Sequence, residues 1–78
     1  MNITVNGKHQ AAAESLLLRQ LVAEVTGREL TDGGQPADGR RLGVAVAHNS
    51  EVVPRGRWAT VEIKDGDDVE IVTAVQGG

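Results

Sequence analysis

The chain ends in Gly77-Gly78, and the carboxylate of Gly78 is the group whose setting in the sequence most suggests chemistry. At a glycine usage of about 7%, a two-glycine ending arises by chance in about one chain in two hundred. The other reactive residue types fall away in turn. Cysteine is absent, which leaves no thiol nucleophile, thiolate metal site or disulfide. No serine or threonine occupies a Gly-x-Ser-x-Gly elbow. His9 and His48 lack the spacing of a metal site and read as ordinary strand or turn residues. Gly33-Gly34 and Gly39 are not followed by the Lys-Ser/Thr pair that completes a phosphate-binding loop. Asp65, Asp67, Asp68 and Glu70 lack the calcium-loop spacing and read as a solvated acidic turn.

The place of the two glycines gives them meaning. Only Gln76 separates them from an alternating strand, so they are expected to project from a rigid edge as a flexible tail over residues 76–78. A tip with no Cβ can thread a narrow channel into another protein's active site. Its carboxylate, once activated by ATP as an acyl-adenylate, can accept sulfur and become a thiocarboxylate. The predicted attachment point is Gly78, with Gln76 and Gly77 as the tail that delivers it.

Several elements must position that tail. Met1, Ile3 and Val5 alternate with Asn2, Thr4 and Asn6, the period of a strand with one buried face. Asn6-Gly7 suits the positive φ angles of a type I′ turn, after which Lys8 to Ala11 returns as a hairpin strand. Ser15 is placed to cap a helix. In that helix Leu18, Leu21, Val22 and Val25 form one apolar stripe, with Arg19, Gln20 and Glu24 facing elsewhere. Gly27 is placed to end it.

Residues 28–41 hold three glycines, one proline and six charged residues, and contain almost nothing to bury. They read as a mobile surface loop inside the domain, with room for a short helical turn. Val44 to Ala47, a turn at Asn49-Ser50, and Glu51 to Val53 form a second hairpin, which Pro54 ends. A connection carrying Trp58, a short extended piece at Val61 to Ile63 and a turn at Lys64 to Asp67 follow. Trp58 is expected to anchor that connection against the sheet. In the last strand Val69, Ile71, Thr73 and Val75 share one face, and Asp68, Glu70, Val72 and Ala74 the other. Val72 and Ala74, apolar on the outer face beside the tail, are candidate partner-docking residues. Glu62, Asp65, Asp67, Asp68 and Glu70 predict an acidic surface able to steer docking onto a basic groove.

Composition agrees with this outline. Seventy-eight residues make one domain, 1–78. With 40% hydrophobic but only 1% aromatic residues, its core must be aliphatic. The predicted class is α+β, one helix laid across a small mixed sheet. A net charge of −3 argues against non-specific nucleic-acid binding. No apolar run is long enough to span a membrane and no signal segment is evident, so a soluble cytoplasmic protein is expected.

The stretch Gly43 to Arg55, with Val52-Val53-Pro54-Arg55 at its end, resembles the central hairpin of ThiS-type sulfur carriers. Trp58, the turn Asp65-Gly66-Asp67, the opening Ile3 to Gly7 and the ending Val69 to Gly78 are similar too. The resemblance implies a β-grasp, ubiquitin-like fold with its first and last strands adjacent and parallel. It implies a protein cosubstrate rather than an enzyme, binding no cofactor itself. Its implied partners are a ThiF-like adenylating enzyme that uses ATP, a cysteine desulfurase or other sulfur donor, and a ThiG-like thiazole synthase that receives the sulfur for the thiamine thiazole ring. Gly78 corresponds to the thiocarboxylated residue and Gly77 to the glycine before it. Residues 28–41 are longer and richer in glycine than the usual connection, and Ser50 stands where the family often has glycine.

Carriers serving molybdopterin, cysteine or tRNA thiolation share this tail chemistry. The Val-Val-Pro-Arg segment and the Ala-Val-Gln-Gly-Gly ending favour thiamine. A non-carrier β-grasp interaction module would bind without modification, and a ubiquitin-like modifier would form isopeptide conjugates.

Overall fold

The computed structural model describes residues 1–39 and 43–73. The alternation at the N-terminus forms strand β1 (Asn2–Val5), with Ile3 and Val5 turned inward. Asn6 and Gly7 take φ angles of 51° and 80°, and the chain returns as β2 (Lys8–Ala11), paired antiparallel from Asn2↔Ala11 to Val5↔Lys8. Both strands lie where the sequence predicts them.

The helix α1 (Leu18–Thr26) also forms, but not from the predicted cap. Ser15 is exposed in a turn, and Leu16–Leu17 is extended as a short strand, β3. The N-cap is Leu17, with ψ 150°, and the Gln20 side chain accepts from its backbone N–H at 2.8 Å. The cap moves because Leu16 and Leu17 pair with β6 (Glu62–Ile63), which holds them extended. Leu18, Leu21 and Val22 are fully buried, whereas Val25, at 45% exposure, drops out of the stripe. Arg19 turns inward instead of facing solvent and donates to the Leu30 carbonyl at 3.1 Å. Gly27 ends the helix at φ 70°, as predicted.

The expectation that residues 28–41 bury almost nothing is corrected. Leu30 is 7% exposed and joins the core, bridged antiparallel to Pro36. The segment closes on itself through Thr31 N–H to Gln35 O at 2.7 Å and Ala37 N–H to Glu29 O at 2.8 Å. Gly34, at φ 80°, lies so close to Arg55 that a Cβ there would sit 2.6 Å from the Arg55 carbonyl oxygen. Residues 40 and 41 lie outside the described residues.

β4 (Val44–His48) and β5 (Glu51–Val52) form the second hairpin through Asn49 and Ser50, at φ 50° and 70°. A left-handed serine costs about 1–2 kcal/mol that glycine does not. Ser50→Gly should therefore raise stability by about 1 kcal/mol, read as a higher denaturation midpoint with an unchanged slope. A lower midpoint would contradict the strain assigned to Ser50.

After Pro54 the connection winds into a 3₁₀ helix, Arg55–Thr60, that buries Trp58 at 1% exposure. β7 (Asp68–Thr73) then enters the centre of a five-stranded sheet of order β2-β1-β7-β4-β5. It runs parallel to β1 and antiparallel to β4. α1 and the 3₁₀ helix lie together on one face. Between them and the sheet sits an aliphatic core of Ile3, Val5, Leu18, Leu21, Val22, Val46, Val69 and Ile71, with Trp58 its only aromatic member.

Candidate functional site

The last described residue of the central strand is Thr73, five residues before Gly78. Gln76, Gly77, Gly78 and Ala74 all lie outside the described residues, so the site's geometry is that of the strand end that launches them. The register with β4 runs from His48↔Val69 to Val44↔Thr73, which ties β7 to a neighbour up to its last described residue. Val69 and Ile71 point into the core and Val72 points out, 60% exposed.

Directly opposed residues of an antiparallel pair share a face. Val72 therefore stands beside Ala45, and Glu70 beside Ala47, which in turn stands beside Val52 at 79% exposure. This gives the outer face a short apolar strip, Val72, Ala45, Ala47 and Val52, rimmed by Glu70 and Asp68 of β7. Of the two predicted docking residues, Val72 is on this strip. Ala45, Ala47 and Val52 were missed because their placement beside Val72 depends on strand register, which no local pattern records.

The predicted acidic surface is smaller than five residues. The Asp67 side chain is only 13% exposed and is engaged internally. It accepts from the Lys64 N–H at 2.8 Å and from Asn49 Nδ2 at 3.2 Å, and meets His48 Nε2 at 2.7 Å. Asn49 in turn accepts from the Asp68 N–H at 2.9 Å. The cluster ties the β4–β5 turn to the start of β7, which is the role found for His48. Glu62 pairs with Lys64 at 3.0 Å, and Asp65 accepts from the Asn2 N–H at 2.7 Å. Asp68 and Glu70 have no such side-chain partner among the described residues, and they are the acids that face outward beside Val72.

Burial opposes ionisation of Asp67. The hydrogen bonds from His48, the Lys64 amide and Asn49, with the attraction of the His48 ring, outweigh it and hold the carboxyl below its ordinary value. A depressed carboxyl stabilises the fold above its unfolded pKa, near 3.9, and that contribution is lost as pH falls through the lower folded value. Denaturation midpoints should therefore hold steady down to about pH 4 and fall below it. Asp67→Asn should flatten that acid limb, and an acid limb identical in the two proteins would refute the assignment.

An open concavity of about 520 Å³ lies between α1 and residues 28–37. Its arginines are already engaged: Arg19 with the Leu30 carbonyl and Arg28 with Asp38 at 3.1 Å. None of its described lining residues belongs to β7, and the one buried polar atom there without a hydrogen bond, Arg19 Nε, stands 3.8 Å from the Asp32 carboxylate, so the end of β7 remains the candidate site.

The ThiS family profile matches residues 2–78. A thiazole synthase of Paramagnetospirillum magneticum is 32% identical over 78 residues, covering all of this chain but 20% of that protein. The sulfur carrier protein ThiS of Escherichia coli is 39% identical over 41 residues, 53% of this chain and 62% of that protein. The chain thus spans a fifth of the first relative's length and under two thirds of the second's. The crystal structure of the thiamine biosynthesis protein ThiS from Geobacter metallireducens superposes with a TM-score of 0.70 at 34% identity, covering both chains fully. SAMP1 from Haloferax volcanii, at TM-score 0.54 and 16% identity, shares the fold alone. With one helix across a mixed sheet and parallel first and last strands, the architecture is the ubiquitin-like β-grasp.

Proposed function

This chain belongs to the ThiS family, and on that premise we propose that it is a sulfur carrier whose working group is the carboxylate of Gly78. The observation that supports this most is that the family match runs through residue 78 and so includes the two glycines that follow the central strand. In this reading a ThiF-like partner uses ATP to adenylate Gly78, with release of pyrophosphate. A persulfide sulfur from a cysteine desulfurase then attacks the acyl-adenylate and displaces AMP, and a thiol reductant cleaves the resulting acyl disulfide to leave the thiocarboxylate; a sulfide-level donor displaces AMP to give it directly. A ThiG-like thiazole synthase takes the sulfur into the thiamine thiazole ring.

The chain contributes presentation rather than catalysis. β7 is paired with β4 as far as Thr73, so the tail starts from a fixed point, while Val72 and the strip beside it offer apolar surface to the partner. The likeness to a thiazole synthase over the whole of this chain supports thiamine over the other sulfur-transfer pathways.

The test is the intact mass of the protein after incubation with ATP, a sulfur donor and the cognate adenylating enzyme. A gain equal to exchanging one oxygen for one sulfur supports the carrier reading. An unchanged mass with demonstrably active partners favours a non-carrier interaction module.

A further inference from the structure

β7 outruns its neighbour on one side. β4 pairs with it as far as Thr73, whereas β1 pairs only through Thr4↔Asp68 and Val5↔Val69. Backbone groups alternate sides along a strand, so Asp68, Glu70 and Val72 address β4, while Val69, Ile71 and Thr73 address the β1 side. The bonds follow this rule. Asn49 N–H donates to Asp68 O at 2.7 Å on one flank, and Asn6 N–H donates to Val69 O at 2.9 Å on the other.

The next rung is made by a side chain. At Asn6 the chain turns back into β2, and the Ile71 N–H is satisfied at 2.7 Å by the Oδ1 atom of Asn6 instead of by a strand carbonyl. Beyond that surrogate rung, the N–H and C=O of the exposed Thr73 face a flank with no strand among the described residues.

We infer that this flank is a strand-addition site: an extended segment of the adenylating partner pairs with the backbone of Thr73. The inference rests on the carrier reading above. Five residues separate Thr73 from Gly78, a reach of at most about 18 Å. A catalytic centre that engages Gly78 therefore brings its own surface alongside the end of β7. Covering backbone groups there without pairing them is costly, while an open strand edge is a ready template for an added strand.

The experiment is amide hydrogen exchange on the free protein and on the protein saturated with its cognate adenylating enzyme. The Thr73 amide should exchange freely alone and slow by about tenfold or more in the complex. The Val72 amide, committed to β4, should be slow in both. Thr73→Pro removes only the donor on the open flank, a placement proline tolerates. It should raise the Kd for the enzyme about tenfold, while Thr73→Val, which keeps the N–H, should not. A Thr73 amide that exchanges equally in both states, in a protein that still gains sulfur, overturns strand addition alone. Absence of both complex and mass gain overturns the carrier reading with it.

Discussion

Deleting Gly78 should abolish sulfur loading while leaving thermal unfolding unchanged. The reacting atom in the proposed chemistry is the carbonyl carbon of the last residue, so its distance from the end of β7 is set by the number of residues between them. Removing one residue shortens the reach by about 3.5 Å. Misplacing a reacting group by even 1 Å can cost about a hundredfold in rate, so the truncated tail should lose at least that much. Adding an alanine after Gly78 should be as damaging, because it displaces the carboxylate in the other direction and puts a Cβ in the channel. Glycine carries no side chain to bury, so its loss removes no apolar burial and the melting temperature should not move. The readout is the fraction of protein gaining the sulfur mass under conditions that load the full-length chain completely. Loading of the truncated protein at the full-length rate would show that Gly78 is not the attachment point.

Trp58→Ala should be the most destabilising single substitution in the domain. Trp58 is 1% exposed, and its Nε1 donates to the Val53 carbonyl at 3.0 Å. The Arg55 guanidinium lies 5.3 Å from the ring centroid. The side chain thus ties the 3₁₀ helix to the end of the second hairpin and fills the space between that helix, α1 and the sheet. Truncating a buried tryptophan costs about 3–5 kcal/mol. Small domains hold only about 5–15 kcal/mol in all. At about 4–8 °C per kcal/mol in a domain of this size, the melting temperature should fall by about 12 °C or more. Trp58→Phe keeps most of the buried area but leaves the Val53 carbonyl without its donor, and should cost about 1–3 kcal/mol. Circular dichroism is the appropriate probe, since the substitution removes the only tryptophan. A melting temperature within a few degrees of the unmodified protein would mean that the 3₁₀ helix is not part of the cooperative core.

The sequence by itself determined the elements whose signal is local. The alternation in β1 and β7, the Asn6-Gly7 and Asn49-Ser50 turns, the stripe of Leu18, Leu21 and Val22, and the stop at Gly27 are all set by neighbours a few residues apart. The Gly77-Gly78 ending, on which the proposed chemistry rests, is legible only as sequence. Tertiary structure decided what depends on distant partners. Leu16 and Leu17 carry too few residues to show a period, and they become a strand because Glu62 and Ile63 lie opposite them. That pairing in turn moves the helix cap away from Ser15. Leu30, alone among polar and glycine neighbours, is drawn into the core by the bridge to Pro36, against every compositional sign that its segment is surface. Asp67 reads as one acid in an acidic run, yet it is withdrawn from the surface by the Lys64 amide of its own turn and by His48 and Asn49, which only the fold brings to it. The apolar strip around Val72 and the open flank at Thr73 likewise follow from register and from where β1 ends relative to β7, both set by pairing between strands far apart in the chain.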